Sequence, residues 1–164
     1  MKRDWDLIRK ILTDIEEGRN LLADIPPEPK WENQNQSEYE VAYAEYKTIE
    51  ERIFGHLELL KASGYIDGVI ISRGLDGHIS YALPRPHLTM TGHDLLDTMR
   101  SATLWESIKQ TAKTKGLELT FDTIKALGLA ALRHLATTIK LSGRLQGTTS
   151  SNAPISQNSR KILR

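Results

Sequence analysis

His93 and Asp97 stand four residues apart, a spacing that turns both side chains toward one side of a helix, and His87 lies a short way upstream. An imidazole and a carboxylate so placed could share a divalent cation and activate water, the chemistry of a metal-dependent hydrolase. One His and one Asp are too few ligands for a zinc site, however, and no His-Glu-x-x-His run occurs. His93 also falls in a first helical turn, where the positive end of the dipole disfavours its protonation. His56 lies about 20° from the edge of an apolar helical arc and reads first as a packed, hydrogen-bonded histidine. The sequence shows no phosphate loop, dinucleotide fingerprint, nucleophile elbow or paired-carboxylate constellation. No catalytic residue, metal ligand or cofactor is therefore expected, and the chain reads as a non-enzyme.

Another group of residues could bind phosphate. Lys47 precedes a helix expected from Thr48, and Arg52 flanks that helix's outer face. Arg73, His78 and Arg85 decorate the hairpin that follows, and Lys2 and Arg3 lie near the first helix. Lys47, Arg52, Arg73, His78 and Arg85 are thus the expected contacts to double-stranded DNA, with the arginines of a wing touching phosphate or the minor groove. Arginines on a hairpin also serve simply as solvated edge protection. The helix argues against DNA, because Glu51, Gly55 and Glu58 lie opposite its apolar stripe and two carboxylates repel a phosphate backbone. Glutamate can accept from cytosine, but only after phosphate donors hold it in the groove. Contact with protein is the alternative reading of the same face.

Positioning these residues requires a short series of elements. Trp5, Ile8, Ile11, Leu12 and Ile15 recur at helical spacing, with Asp4 able to cap the start and Gly18 able to end the helix. Pro26, Pro27 and Pro29 then deny the chain helix and central-strand hydrogen bonds. Residues 37–46 fit either a short strand or a helix starting at Ser37. Thr48-Ile49-Glu50-Glu51 reads as a capping box, and Ile49, Ile53, Leu57 and Leu60 fall within about 80° of arc before Gly64 stops the helix. Val69–Arg73, the turn Gly74-Leu75-Asp76-Gly77 and Ile79–Leu83 form a hairpin, which Pro84 and Pro86 end. A second capping box at Thr91-Gly92-His93-Asp94 opens a helix with a kink near Ser101, continuing to Gly116. The last helix spans about Thr120 to Lys140. Ile124, Leu127, Ala131 and Leu135 recur along it near heptad spacing, and Phe121, Leu132 and Ile139 broaden the stripe. So broad a stripe must be buried on a neighbouring helix or across a subunit interface, and a homodimer through Ile124, Leu127, Ala131 and Leu135 is expected.

The fold class that follows is mainly α with a small β-hairpin (α+β): a winged helix-turn-helix-like module followed by C-terminal helices. The expected domains are residues 1–100, with a Pro-rich insertion at about 21–36, a helical extension at 101–141 and a disordered basic tail at 142–164.

The 164 residues are 39% apolar and 26% charged, ordinary for a globular protein. No apolar run approaches the roughly 18 residues that span a bilayer, and the acidic start argues against a signal peptide. The absence of cysteine excludes disulfides, thiolate metal sites and cysteine nucleophiles, and a cytoplasmic protein is the simple expectation. The net charge of +1 conceals an asymmetry. Residues 1–99 carry 11 Lys+Arg against 18 Asp+Glu, and residues 100–164 carry 11 against 3. This polarity fits a basic nucleic-acid-binding surface on an acidic body, or a basic half that packs on an acidic half within or between subunits.

Three motifs resemble an uncharacterised bacterial and phage-associated family of unknown function. They are Met1-Lys2-Arg3-Asp4-Trp5-Asp6-Leu7-Ile8-Arg9-Lys10-Ile11-Leu12, His56-Leu57-Glu58-Leu59-Leu60-Lys61-Ala62-Ser63-Gly64-Tyr65-Ile66, and Leu88-Thr89-Met90-Thr91-Gly92-His93-Asp94-Leu95-Leu96-Asp97. Trp105 and the lysines after it also match, so the likeness covers about residues 1–135. The resemblance implies a winged-helix-like fold, no established activity and occurrence near mobile elements. The Pro-rich segment before Ser37 departs from the pattern, where a second helix of the helix-turn-helix would be expected. The functional expectation is a DNA-binding regulatory or accessory protein of bacterial or phage type that binds without catalysis. A protein-interaction and oligomerisation module on the same scaffold is the alternative.

Overall fold

A computed structural model describes residues 2–32 and 35–145, with side chains as far as Arg133. Helix α1 spans Trp5–Glu16. Its cap is Asp4, whose carboxylate accepts the Leu7 N–H at 3.0 Å, and its apolar stripe of Ile8, Ile11, Leu12 and Ile15 is buried. The chain then turns through Leu21, which is buried, with Leu22 and Ile25 packed beside it.

Helix α2 runs unbroken from Gln36 to Ala62. Asn35 caps it by accepting the Glu38 N–H at 2.9 Å, so residues 37–46 are helical. The helix expected to begin at Thr48 is only its second half. Thr48 sits mid-helix, where its hydroxyl donates to the Ala44 carbonyl at 2.8 Å and caps nothing. Burial is confined to the second half, at Glu50, Ile53, Phe54, His56, Leu57 and Leu60. The first half, about 20 Å of helix, carries no buried side chain. The preceding Pro-rich segment comes back to it, with the Trp31 ring 5.1 Å from Tyr39.

Two short antiparallel ladders follow. Strand β1 (Ile66–Asp67) pairs with β4 (His87–Leu88), and β2 (Ile70–Arg73) pairs with β3 (Ile79–Ala82), placing Arg73 opposite Ile79 and Ile66 opposite Leu88. The chain passes from the first ladder to the second at Gly68, where φ is +73° and a Cβ would lie 1.9 Å from the Arg85 carbonyl oxygen.

Helix α3 (Met90–Arg100) is capped by Thr89, whose hydroxyl accepts the Gly92 N–H at 3.1 Å. The box expected at Thr91 therefore starts two residues too late, and the Thr91 hydroxyl is used elsewhere. The kink expected near Ser101 is a complete break. Ser101 ends α3 in an extended conformation and caps α4 (Ala102–Thr114). Helix α5 spans Phe121–Leu145, one residue after Thr120, whose hydroxyl accepts the Thr123 N–H. The tail expected from residue 142 thus begins inside α5, and residues 146–164 lie outside the described residues.

The architecture is mainly helical with a small β component, an α+β arrangement. Its core is continuous across α1 to α5: Leu12, Leu57, Leu95, Trp105, Ile108 and Ile124 are all fully buried in one cluster. Polar contacts tie distant segments together. The Asp4 N–H donates to His56, the Thr89 and Thr91 hydroxyls both donate to the Gly64 carbonyl at 2.6 and 2.9 Å, and the Trp105 indole N–H donates to Asp6 at 2.7 Å. Gly92 lies so close to the Tyr65 carbonyl that a Cβ would sit 2.0 Å from it. The residues that make the sequence motifs distinctive are therefore mostly those that lock α1, α2, α3 and α4 to one another. Among the described residues, no helix is long and apolar enough to cross a membrane.

Candidate functional site

The outer face of the second half of α2 meets β2 across an open cleft of about 610 Å³, lined by Lys47, Thr48, Glu51, Arg52, Gly55, Glu58 and Arg73. Glu51 and Glu58 lie two helical turns apart on one face, and the end of β2 delivers Arg73 between them. The guanidinium Nε and Nη2 donate to Glu58 at 2.8–3.1 Å, and Nη1 donates to both oxygens of Glu51 at 2.6 and 2.9 Å. Glu58 first, and Glu51 with it, push the Arg73 pKa above its ordinary value. The two acids that would have faced a phosphate backbone thus share the one arginine that was expected to contact it, which leaves the trio a net negative charge.

The other expected cations divide in the same way. Lys47 donates to Glu50 at 2.6 Å, and that contact raises its pKa. Arg52 is paired with the Asp4 carboxylate. His78 and Arg85 are exposed, and among the described residues neither side chain makes an ion pair. The structure therefore brings Lys47, Arg52 and Arg73 to one cleft, already engaged, and leaves His78 and Arg85 apart from it.

The histidines considered for chemistry are held by the chain itself. His56 is fully buried; its Nε2 accepts the Asp4 N–H at 2.8 Å and its Nδ1 donates to the Arg52 carbonyl at 2.6 Å. Both ring nitrogens are used, which fixes the neutral tautomer. His93 lies 3.4 Å from Glu16, Arg100 donates to Glu16 at 2.8 and 2.9 Å, and Asp97 also accepts from Arg100 at 2.9 Å. His93 and Asp97 thus belong to one surface ion-pair network. Among the described residues, no group of three His, Cys, Asp or Glu could hold a metal ion.

The four positions expected to form a subunit interface are placed differently from one another. Ile124 is fully buried in the chain's own core, and Leu127 is packed at its edge. Ala131 is half-buried and lines an α4–α5 groove of about 550 Å³ with Leu104, Ile108 and Leu127. The Leu135 side chain lies outside the described ones. Leu129 and Leu132 present the exposed apolar surface of α5, each about half accessible.

Two further features bear on binding. A cleft of about 460 Å³ is bordered by Lys2, Arg3, Lys109 and Lys113 over Trp5, Leu117 and Leu119. On the first half of α2, Tyr39 stacks on Tyr43 at 5.7 Å and Tyr43 lies 6.1 Å from Tyr46, continuing the row that begins at Trp31. The spacing of the tyrosines at three and four residues was a helical signal, open to being read as strand alternation because alanines separate them.

The family described as "Hypothetical protein (DUF2513)" matches residues 2–118, which contain α1 to α4 and both ladders and stop short of α5. An uncharacterized protein of Haemophilus influenzae strain Rd is 32% identical over 135 residues, covering 82% of this chain and 98% of that protein. No solved structure matches the chain.

Proposed function

We infer that this chain, which belongs to the DUF2513 family of hypothetical proteins, is a protein-interaction module that binds without catalysis on a winged-helix-like scaffold. In that scaffold α2 occupies the place of the recognition helix and the β2–β3 hairpin the place of the wing. The observation that carries the reading is the Arg73 guanidinium held between Glu51 and Glu58. For Arg73 to reach a phosphate it must abandon two carboxylates, and those carboxylates would then face the same phosphates. A groove-facing surface whose arginine is already held and whose two carboxylates outweigh it suits a protein partner better than a polyanion. The aromatic row from Trp31 to Tyr46 adds the residue types that enrich protein interfaces.

Duplex DNA is the second reading, in which the chain serves as a regulatory or accessory protein of bacterial or phage type. It is supported by the exposed Arg85, free of ion pairs among the described residues, and by the 11 cations against 3 acids in residues 100–164.

Fluorescence anisotropy with a mixed-sequence duplex at about 50 mM salt separates the two. The protein-interaction reading expects no saturable binding tighter than about 10 µM. A steeply salt-dependent affinity that is lost in Arg85→Ala would replace it with the DNA reading.

A further inference from the structure

The chain carries two surfaces of opposite charge that are not satisfied within it. One is the cleft over Trp5. Lys2, Arg3 and Lys113 on its rim are exposed, and none forms an ion pair among the described residues. Arg3 stands 5.8 Å from the Trp5 ring, while Lys109 on the same rim is committed to Asp6 and Glu106. Glu118 also lines the cleft, and Leu117, 46% exposed, gives it an apolar wall.

The other is the arm formed by residues 26–32 and 35–46. It carries Glu28, Glu32, Glu38, Glu40 and Glu45 against Lys30, and none of those five carboxylates forms an ion pair among the described residues. Trp31 and Val41, 57% and 60% exposed, supply apolar surface on the same arm. The helical part of the arm has no fully buried side chain.

We propose that the arm of one copy docks in the Lys2–Arg3–Lys113 cleft of a second copy. The proposal rests on the protein-interaction reading above and names the partner. Charge complementarity carries it: five carboxylates without an ion pair along the arm, and three cations without one around the cleft, among the described residues. The apolar wall of the cleft and the Trp31 ring provide area to bury beneath the charges. Reciprocal exchange, arm to cleft and arm to cleft, closes the assembly as a two-fold dimer. A nucleic acid or an unrelated acidic protein would be the other occupants of such a cleft.

Sedimentation velocity on the full chain tests this at about 50 and about 500 mM salt. A dimer is expected at low salt, with association at least about tenfold weaker at high salt as the exposed pairs are screened. The cleft variant Lys2→Glu/Arg3→Glu/Lys113→Glu and the arm variant Glu32→Lys/Glu40→Lys/Glu45→Lys are each expected to be monomeric, and their equimolar mixture is expected to dimerise again. Circular dichroism melts of both variants establish that they fold. A monomeric parent, a variant that dimerises like the parent, or a mixture that stays monomeric overturns the proposal and leaves the protein-interaction reading standing. Loss of duplex binding in the cleft variant without loss of dimer overturns both and assigns the cleft to nucleic acid.

Discussion

The imidazole Nε2 of His56 accepts the backbone N–H of Asp4 at 2.8 Å across 52 residues of sequence. Asp4 is at once the cap of α1 and the ion-pair partner of Arg52, whose carbonyl receives the single ring N–H, at Nδ1, of the same histidine. One buried side chain therefore fixes how the start of α1 sits on α2. His56→Leu keeps the volume and removes both contacts, leaving the Asp4 N–H without an acceptor. A loss of about 2–4 kcal/mol in unfolding free energy is expected in urea titrations. A change under about 0.5 kcal/mol would show that the histidine is only a spacer.

Acid should loosen the same end of the molecule. The Leu7 N–H, and after it Arg52, holds the Asp4 carboxyl below its ordinary value of 3.8, and the Trp105 indole does the same for Asp6. A depressed carboxyl contributes stability that is present above its unfolded value and lost as pH falls through the folded one. The loss from this pair thus begins below about pH 5 and continues below pH 3.8. The Asp6 side chain is 67% exposed, so screening holds its share to under about 1 kcal/mol. Asp6→Asn should flatten the acid limb of a stability profile without lowering stability near neutrality by more than that amount. An acid limb unchanged by the substitution would remove Asp6 from the account.

Tyr46 offers a probe of the α2 arm. Burial, followed by its 2.8 Å hydrogen bond to Glu50, pushes its pKa up to about 12. The raised value means that its contribution to stability is intact below the ordinary pKa of 10.0 and lost as pH rises from there toward 12. In a phenolate absorbance titration the last step should vanish in Tyr46→Phe. Its persistence in that variant would place the late titration on another tyrosine.

Gly68 and Gly18 should respond differently to alanine. Both have positive φ, +73° and +65°, but only at Gly68 would the new methyl meet backbone, at the Arg85 carbonyl. Gly18→Ala carries conformational strain alone, about 1 kcal/mol. Gly68→Ala must also move the passage between the two ladders, and its loss should exceed about 2 kcal/mol in chemical denaturation. Equal losses at the two sites would mean that the close approach at Gly68 relaxes freely.

Local signals were legible where one residue had one job. Asp4 capping α1, Gly18 and Gly64 following helix ends, and the turn at Gly74–Gly77 between β2 and β3 were all readable from residue type. The reading failed where a residue had a competing partner. Thr48 imitates a cap, but its hydroxyl finds the Ala44 carbonyl inside a continuous helix. Thr91 imitates another, but it is spent on the Gly64 carbonyl while Thr89 caps α3. The candidate site was legible as a list of cations and as an acidic helix face. That Arg73 would close on Glu51 and Glu58 was not, because it depends on where a hairpin leans in space. For the same reason, no helical wheel could reveal that Ile124 faces the chain's own core.

The contact between Asp6 and Trp105 joins positions 99 residues apart. During synthesis α1 leaves the ribosome well before α4 exists, and at typical elongation rates the interval is about 5 to 20 s. For most of that interval Ile8, Ile11, Leu12 and Ile15 stand without β4 and α3, two of the elements α1 packs against. Nascent chains halted before His87 should therefore be the form of this protein most readily held by chaperones that recognise short apolar segments, and release should follow the emergence of α3.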